Sequence, residues 1–424
     1  MKKGILSFAV LFLLVFSVNA QMDNLANMSA KWMRTNVRNA TLDGGGDMVN
    51  YNPAGLAMLS DGIYVSLSNQ TMFRHPEHSF NFLNTDLSYE QDGCDPFLPM
   101  FYAAWKKNRI AISSGVYITG GGATVNYPDG SINTIMMGYS ISPGNQITNQ
   151  SLKASSYYLT VPLNFSYAIN DKLSLSAGAR FVRGINKTEA EIAYSSVVFD
   201  VDYKSNANGW GGIIGIDYKP CNRLNIALHY ETKVKLEFEA KDNKGSMSLE
   251  ADGTKSKRDL PAVLSSGIAY HISDKLIAET DFNYYFQKRA DWGQLTDPTS
   301  GEVVDASDAA GNCYTANLGF RYLLNDKLEL SAGCSYTHFN YDNIELYYTK
   351  MGLYEALKYN NLNVGFGAGY YITKNIQLDL GFGRTFWKDK TVNSLSAQKA
   401  LGTEFPVNLT DKSYVLAIGV DLRF

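Results

Sequence analysis

Asn170-Asp171-Lys172-Leu173-Ser174-Leu175-Ser176-Ala177-Gly178-Ala179-Arg180-Phe181 is the stretch whose reading decides the fold. A tight Asn-Asp turn leads into residues that alternate apolar with small or polar, the period of a strand with its two faces in different environments. The same text recurs. Short polar turns stand at 106–109, 170–172, 219–223, 273–275, 325–327 and 373–375, after the first at intervals of about fifty residues, so each repeat reads as one β-hairpin closed by a short turn and followed by a long connection.

Six turns join twelve strands. One more strand is required before them, from about Gly62, and one after them, from Lys412 to Phe424, which predicts fourteen. An even number of antiparallel strands with short turns on one side and long loops on the other is the plan of a closed bacterial outer-membrane barrel. The long connections at 122–155, 187–206, 240–258, 290–310, 341–358 and 389–411 then all lie on the outer side. In the last strand Tyr414, Leu416, Ile418, Val420, Leu422 and Phe424 form the lipid face and Ser413, Ala417, Gly419, Asp421 and Arg423 the inner face. By the same alternation Leu330, Cys334 and Tyr336 face lipid, and Glu329, Ser331, Gly333 and Ser335 the lumen. Aromatic pairs such as Tyr157-Tyr158, Tyr347-Tyr348, Tyr370-Tyr371 and Phe386-Trp387 suit interfacial girdles. The alternating end at Tyr414, Leu422 and Phe424 looks like a signal for the outer-membrane barrel assembly machinery.

Residues 1–20 read as an export signal, with Lys2 and Lys3, an apolar run to Val18, and a small-residue cleavage site at Asn19-Ala20. No later apolar run is long enough for a spanning helix, so a membrane-embedded mature chain must close its backbone hydrogen bonds as a barrel. The expected organisation is a signal peptide at 1–20, an N-terminal plug at 21–61 and a barrel at 62–424, all-β in class and placed in a Gram-negative-type outer membrane as a monomer.

The plug reading rests on Gly44-Gly45-Gly46-Asp47-Met48-Val49-Asn50-Tyr51-Asn52-Pro53-Ala54-Gly55-Leu56-Ala57-Met58-Leu59. Proline and clustered glycines prevent a long regular element, while Tyr51, Leu56, Met58 and Leu59 are too apolar for a solvated loop. Asn52 and Pro53 open a turn that fixes the path of Ala54 and Gly55, with the Asn52 side chain available to backbone groups that irregular chain leaves open. Arg34, with Lys31 or Arg38 as alternatives, is the candidate for attracting a ligand carboxylate, against a solvated or loop-paired role for each.

Composition narrows the function. With 45% hydrophobic residues, 28 Tyr, 36 Gly and a net charge of −3, the chain has the make-up of β structure and no electrostatic reason to bind nucleic acid. The cysteines at 94, 221, 313 and 334 match no metal spacing and are expected as free thiols, a Cys94 to Cys313 bridge being the alternative. His75 and His78 are the one close histidine pair and read as solvated loop residues. No nucleophile motif stands beside a strand histidine, so neither an enzyme nor a cofactor is expected.

These residues carry a resemblance. Gly45-Gly46-Asp47 followed by Asn52-Pro53-Ala54-Gly55-Leu56, behind an export signal, resembles the hatch of the outer-membrane long-chain fatty acid and aromatic hydrocarbon transporter family (FadL-like), and Pro99, Val161-Pro162-Leu163 and the terminal Phe424 fit it too. The run from Arg34 to Ala40 is bulkier and more basic than in that family. The resemblance implies passage of hydrophobic, fatty acid-like molecules from the outer loops into a plugged lumen and sideways into the membrane lipids. Ala111, Ser113 and Gly115 leave room on one strand face for a hatch or an opening, or are plain luminal packing. A general porin for hydrophilic solutes is the alternative.

Overall fold

The computed structural model describes residues 27–424 except Ser196 and Asp242, with positions 122 and 123 by backbone alone; the expected export signal lies outside the described residues. Fourteen strands form the wall: β1 (Gly62–Arg74), β2 (Cys94–Lys107), β3 (Ile110–Tyr127), β4 (Asn149–Asn170), β5 (Leu173–Tyr194), β6 (Val197–Cys221), β7 (Leu224–Glu231), β8 (Val263–His271), β9 (Leu276–Tyr285), β10 (Cys313–Asn325), β11 (Leu328–Phe339), β12 (Asn361–Thr373), β13 (Ile376–Trp387) and β14 (Lys412–Arg423). Each pairs antiparallel with its sequence neighbours. The ring closes where β1 meets β14, from Tyr64 opposite Arg423 to Arg74 opposite Ser413.

The turns work as their residue types dictate. Asn170 Oδ1 accepts from the Lys172 and Leu173 amides at 2.9 and 3.0 Å, and Asn325 Oδ1 accepts from Lys327 and Leu328 at the same distances. A short side chain thus stands in for a missing ladder partner. Burial alternates with the predicted period: Tyr414, Leu416 and Ile418 are exposed to the lipid side, and Ser413, Ala417 and Asp421 are buried.

Several outer connections are more ordered than their polarity suggests. β4, β5 and β6 run on for 22, 22 and 25 residues, about twice what a tilted strand needs to span a bilayer, so most of the expected loop at 187–206 is a hairpin outside the membrane. The outer segments at 122–155, 290–310, 341–358 and 389–411 fold over the barrel mouth as one dome, with helices α3 (Ile132–Ile141), α4 (Ala306–Ala310), α5 (Ile344–Met351) and α6 (Leu395–Leu401) sharing an apolar core with Phe80, Trp292 and Phe405, while the segment at 240–258 pairs with the outward extension of β6. Tyr347 and Tyr348, expected in a girdle, are fully buried there on α5. The helical period overrides a dipeptide that reads equally well at a strand end. His78 is buried in a small outer sheet rather than solvated. All four cysteines are free, Cys94 exposed and Cys313 buried.

The described residues before β1, 27–61, fill the lumen. Helix α1 (Ala30–Thr35) is capped by Ser29, whose Oγ accepts from the Trp32 amide, and ends at Asn36 with φ 56°. Helix α2 (Met48–Tyr51) and a 3-10 turn (Ala54–Met58) follow. α1 lies in a trough of glycines: Gly319, Gly333, Gly365 and Gly383 face one another in register across β10, β11, β12 and β13. At Gly333 a Cβ would overlap the Thr35 carbonyl oxygen, and at Gly381 it would come within 3.0 Å of the Ala30 carbonyl oxygen.

Candidate functional site

Above α1, on the outer side of the plug, lies a cavity of about 190 Å³. Its floor is Met28, Trp32 and Met33, and its wall includes Met72, Leu98, Ile118, Tyr157 and Phe339, with Asn317, Thr337 and Asn363 supplying uncharged polar groups on the opposite side. Apolar lining with a few convergent polar groups is the usual form of a small-molecule site. Of the cations that line the cavity, Arg74 is ion-paired with Asp95 at 3.1 Å and also donates to the Thr124 carbonyl.

The wall parts beside this cavity. β2 and β3 pair as a ladder from Phe101 opposite Val116 down to Lys107 opposite Ile110, part above that, and are bridged again at the outer end, where the Thr124 amide donates to Asp95 at 3.1 Å and the Asp92 amide to the Asn126 carbonyl at 2.8 Å. Pro96 and Pro99 deprive β2 of two amide donors, and the side chains of Asn69 and Thr71 bond the Pro96 carbonyl at 3.0 and 2.9 Å instead. On β3 the register with β4 shifts around Gly120. Gly121 holds φ +92°, where a Cβ would also run into the Ser156 carbonyl; only glycine fits there without strain. Leu98, Ile118, Gly120 and Gly121 line both the parted strands and the cavity.

Below the cavity the plug is pinned by buried ion pairs. Arg34 is completely buried and donates to Asp379 at 2.9 Å, Ser331 at 2.9 Å and Glu329 at 2.7 Å. Arg38 bonds Asp43 at 2.7 Å and Asp47 at 2.5 Å, Lys31 reaches Asp421 at 3.2 Å, and Arg321 of the wall joins Glu279 and Asp43 at 3.1 and 3.4 Å. Charges this deep persist only when paired and hydrogen-bonded. Plug and wall supply one another's counter-ions.

The model of the outer membrane protein transport protein family (OMPP1/FadL/TodX) matches residues 18–424. The chain belongs to this family. It is an outer-membrane transport barrel of the FadL/TodX type. Solved structures with the same fold include a Pseudomonas aeruginosa FadL homologue (13% identity, 95% of this chain and 99% of that one, TM-score 0.71), the Ralstonia pickettii toluene transporter TbuX (17%, 95% and 99%, 0.61) and the P. putida toluene transporter TodX (16%, 90% and 94%, 0.65). No curated protein matches the chain by sequence alone.

In this FadL/TodX-type barrel the residues singled out from sequence fall into two groups. Tyr51 packs with Ala30, Trp32, Met33 and Val415 beneath the cavity floor. Asn52 closes the turn on itself, its Oδ1 accepting from the Gly55 amide at 3.1 Å, while its Nδ2 donates to Asp217 of β6 at 2.6 Å and to the Thr41 carbonyl at 3.3 Å. The Pro53 and Ala54 carbonyls each accept from a wall hydroxyl, Ser166 and Ser174, at 2.7 Å, and Leu56 and Met58 pack with Tyr64 and Tyr102. This segment clamps the plug to β4, β5 and β6 and does not line the cavity. Arg34 is likewise occupied, neither solvated nor paired within a loop but buried against acceptors of the wall, which leaves it no donor for a ligand carboxylate. Phe424 exchanges backbone bonds with Ile63 at 2.9 and 2.8 Å with its ring 70% exposed, and Tyr414 stacks on Phe73 at 4.7 Å.

Sequence reasoning missed Met28, Trp32 and Met33 as the cavity floor, although Trp-Met just ahead of the glycine-rich run is unusually apolar text. It also missed where the wall parts, which Pro96, Pro99 and the triple glycine at 120–122 announce as breaks in alternation. Ala111, Ser113 and Gly115 are luminal packing: all three are buried, and they stand below the parted segment.

Proposed function

We propose that this barrel takes up fatty acid-like hydrophobic molecules from the outside, holds them in the cavity above α1 and releases them sideways between β2 and β3 into the membrane. The single observation that carries the reading is the continuity between the two: Leu98, Ile118, Gly120 and Gly121 line the cavity and are the residues at which the strands separate. An apolar solute gains about 0.8 kcal/mol for each CH₂ removed from water, so a path from cavity to lipid is downhill and a path into the periplasm is not. The plug supports this reading against a general porin, because α1, α2 and their ion pairs occupy the lumen that a polar solute would cross. No cofactor or catalytic group is needed for such passage, and a single chain contains the whole path.

The test is uptake of a labelled long-chain fatty acid by cells making equal amounts of the wild-type protein or of a chain with Leu98→Trp and Ile118→Trp, together with swelling of liposomes in small sugars. A several-fold fall in fatty-acid uptake without sugar permeation is expected. Rapid sugar flux through the wild-type barrel, or unchanged fatty-acid uptake with both tryptophans in place, overturns the reading.

A further inference from the structure

The six short turns repeat a second feature besides their geometry. Each descending strand ends in an aromatic side chain on the lipid face, Trp105, Tyr167, Tyr218, Tyr270, Tyr322 and Tyr370, and these are between 41 and 47% exposed. The turn below each one carries a cation: Arg109, Lys172, Lys219, Lys275, Lys327 and Lys374. In three repeats the spacing is identical, Tyr167 to Lys172, Tyr270 to Lys275 and Tyr322 to Lys327.

Charge at this rim runs against the rest of the chain. Over the whole sequence 41 acidic residues outnumber 38 basic ones, yet the six turns hold only three carboxylates, Asp171, Asp274 and Asp326, against at least one Lys or Arg in every turn. Lys106 and Lys107 have a partner in Asp61 at 3.0 and 3.5 Å. Among the described residues, Lys172, Lys219, Lys275, Lys327 and Lys374 have none. Some lysines at the outer end are paired instead: Lys204, Lys241, Lys255 and Lys257 each stand within 4 Å of a carboxylate.

Depth decides what the unpaired lysines meet. In four repeats the turn begins three residues beyond its tyrosine (Tyr167, Tyr270, Tyr322 and Tyr370), and at about 3.3 Å per residue in a strand tilted by about 45° this puts the turn roughly 7 Å below the rings; Lys219 directly follows Tyr218 and reaches the same layer only by its own flexible stem. A headgroup layer is about 5–8 Å thick. With the rings at the boundary of the hydrocarbon, the lysines stand at the level of the phosphates. A flexible stem with a strongly hydrated point charge is suited to that layer.

We propose that the turn rim is a binding surface for the phosphate of anionic phospholipids in the inner leaflet, each aromatic ring seating the glycerol and upper acyl region and the lysine beneath it taking the headgroup. The rim fixes the height of the barrel in the membrane and gathers anionic lipid around it.

The test uses the full mature protein, delipidated in mild detergent, offered an equimolar mixture of phosphatidylglycerol and phosphatidylcholine, and read by native mass spectrometry. One unpaired lysine near an anionic surface contributes about a fivefold preference. The wild-type protein should therefore retain phosphatidylglycerol over phosphatidylcholine by at least that factor, and a variant with K172Q, K219Q, K275Q, K327Q and K374Q should lose the preference. A charge-matched variant with the outer lysines Lys204, Lys241, Lys255 and Lys257 and with Lys288, which is ion-paired with Asp342 of the outer dome, replaced by Gln should keep it. Equal retention of the two lipids by the wild-type protein overturns the proposal without any variant. So does equal loss in the two variants, which would make the effect one of net charge, or full displacement of the lipid by millimolar inorganic phosphate, which would make the rim a site for free anions only.

Discussion

Gly333 of β11 lies so close under Thr35 of the plug that a single methyl group on Gly333 would occupy the position of the Thr35 carbonyl oxygen. The obstruction is backbone, so no side-chain rotation relieves it, and with Gly319, Gly365 and Gly383 in register beside it the trough has no slack in which α1 could slide. Gly333→Val is expected to leave strand pairing intact, since β-branched residues suit a strand, and to lift α1 off the wall. Liposome swelling with small sugars should rise from background to clear permeation while heat-modifiable gel mobility stays that of a folded barrel. Unchanged sugar exclusion would mean that α1 is not seated by this trough.

Arg34 offers an electrostatic version of the same experiment. Replacing it with Met keeps most of the volume but leaves Asp379 and Glu329 buried beside a thioether, and breaking a buried pair from one side costs about 3–5 kcal/mol. Plug docking should weaken by an amount of that order, read as lost hydrogen-exchange protection in residues 29–36. Arg34→Lys should restore little, because one ammonium cannot reproduce a planar fork spanning Asp379, Ser331 and Glu329. Wild-type protection in Arg34→Met would remove the ion pairs from the account of how the plug is held.

The outer dome carries two buried titratable groups that act in opposite directions at the start of α3. His78 accepts the Ile132 amide at Nε2 at 3.0 Å, and burial pushes its pKa down to about 3. Glu355 accepts from Asn133 Nδ2 at 2.7 Å, and burial pushes its pKa up to about 7. The histidine favours the folded dome above its unfolded pKa of about 6.5, and that contribution is lost as the pH falls toward 3. The glutamate favours it below the ordinary value of 4.5, and that contribution is lost as the pH rises toward 7. Between about 4.5 and 6.5 the two slopes, each about 1.4 kcal/mol per pH unit, cancel. Hydrogen exchange across 132–141, corrected for intrinsic rates, should therefore vary little with pH in the wild-type protein. Glu355→Gln should make protection fall with acidification, and His78→Gln should make it fall as the pH rises. Parallel behaviour of the two variants would sink this balance.

At the chain end, Phe424 exchanges two backbone bonds with Ile63, the last rungs of the seam that closes the barrel. Deleting Phe424 is expected to lower the amount of folded barrel in the outer membrane several-fold while export to the periplasm continues, as measured by cell fractionation. Normal membrane levels of the truncated chain would take the assembly role away from this residue.

How much of this was legible depended on range. The wall was readable because a strand's faces follow from a period of two and its turns from Asn, Asp and Ser side chains, both local; Tyr414, Leu416 and Ile418 fall where alternation puts them. The site was not, because it depends on which distant residues share a register. That Gly319, Gly333, Gly365 and Gly383 form one row follows from four strand pairings, and nothing in any one strand marks it. That Arg34 pairs with the wall could not be read in the sequence, because its three acceptors lie about three hundred residues away. The dome defeated reading for another reason: α3 and α5 are short helices stabilised by the apolar core that the dome segments share, and propensity alone gives such segments little signal.

The Asn52 clamp is the test of how the plug is held on the side opposite α1. Asn52 satisfies three groups at once, the Gly55 amide, the Thr41 carbonyl and Asp217, and Asp217 has as its other partner Asn225 of β7 at 2.8 Å. Replacing Asn52 with Ala removes the donor from a buried carboxylate and the acceptor from a buried amide, each at about 1–3 kcal/mol. Pro53→Gly adds conformational freedom that the fixed φ of proline denies to the unfolded segment. Together they should free residues 52–58 from β4, β5 and β6 while α1 stays in its trough, because the two attachments share no residue. Hydrogen exchange should then rise in 52–58 and not in 29–36, labelled fatty-acid uptake should fall, and small-sugar leakage should increase. Exchange rising equally in both segments would show that the plug docks as one cooperative body, and unchanged fatty-acid uptake would show that the clamp has no part in transport.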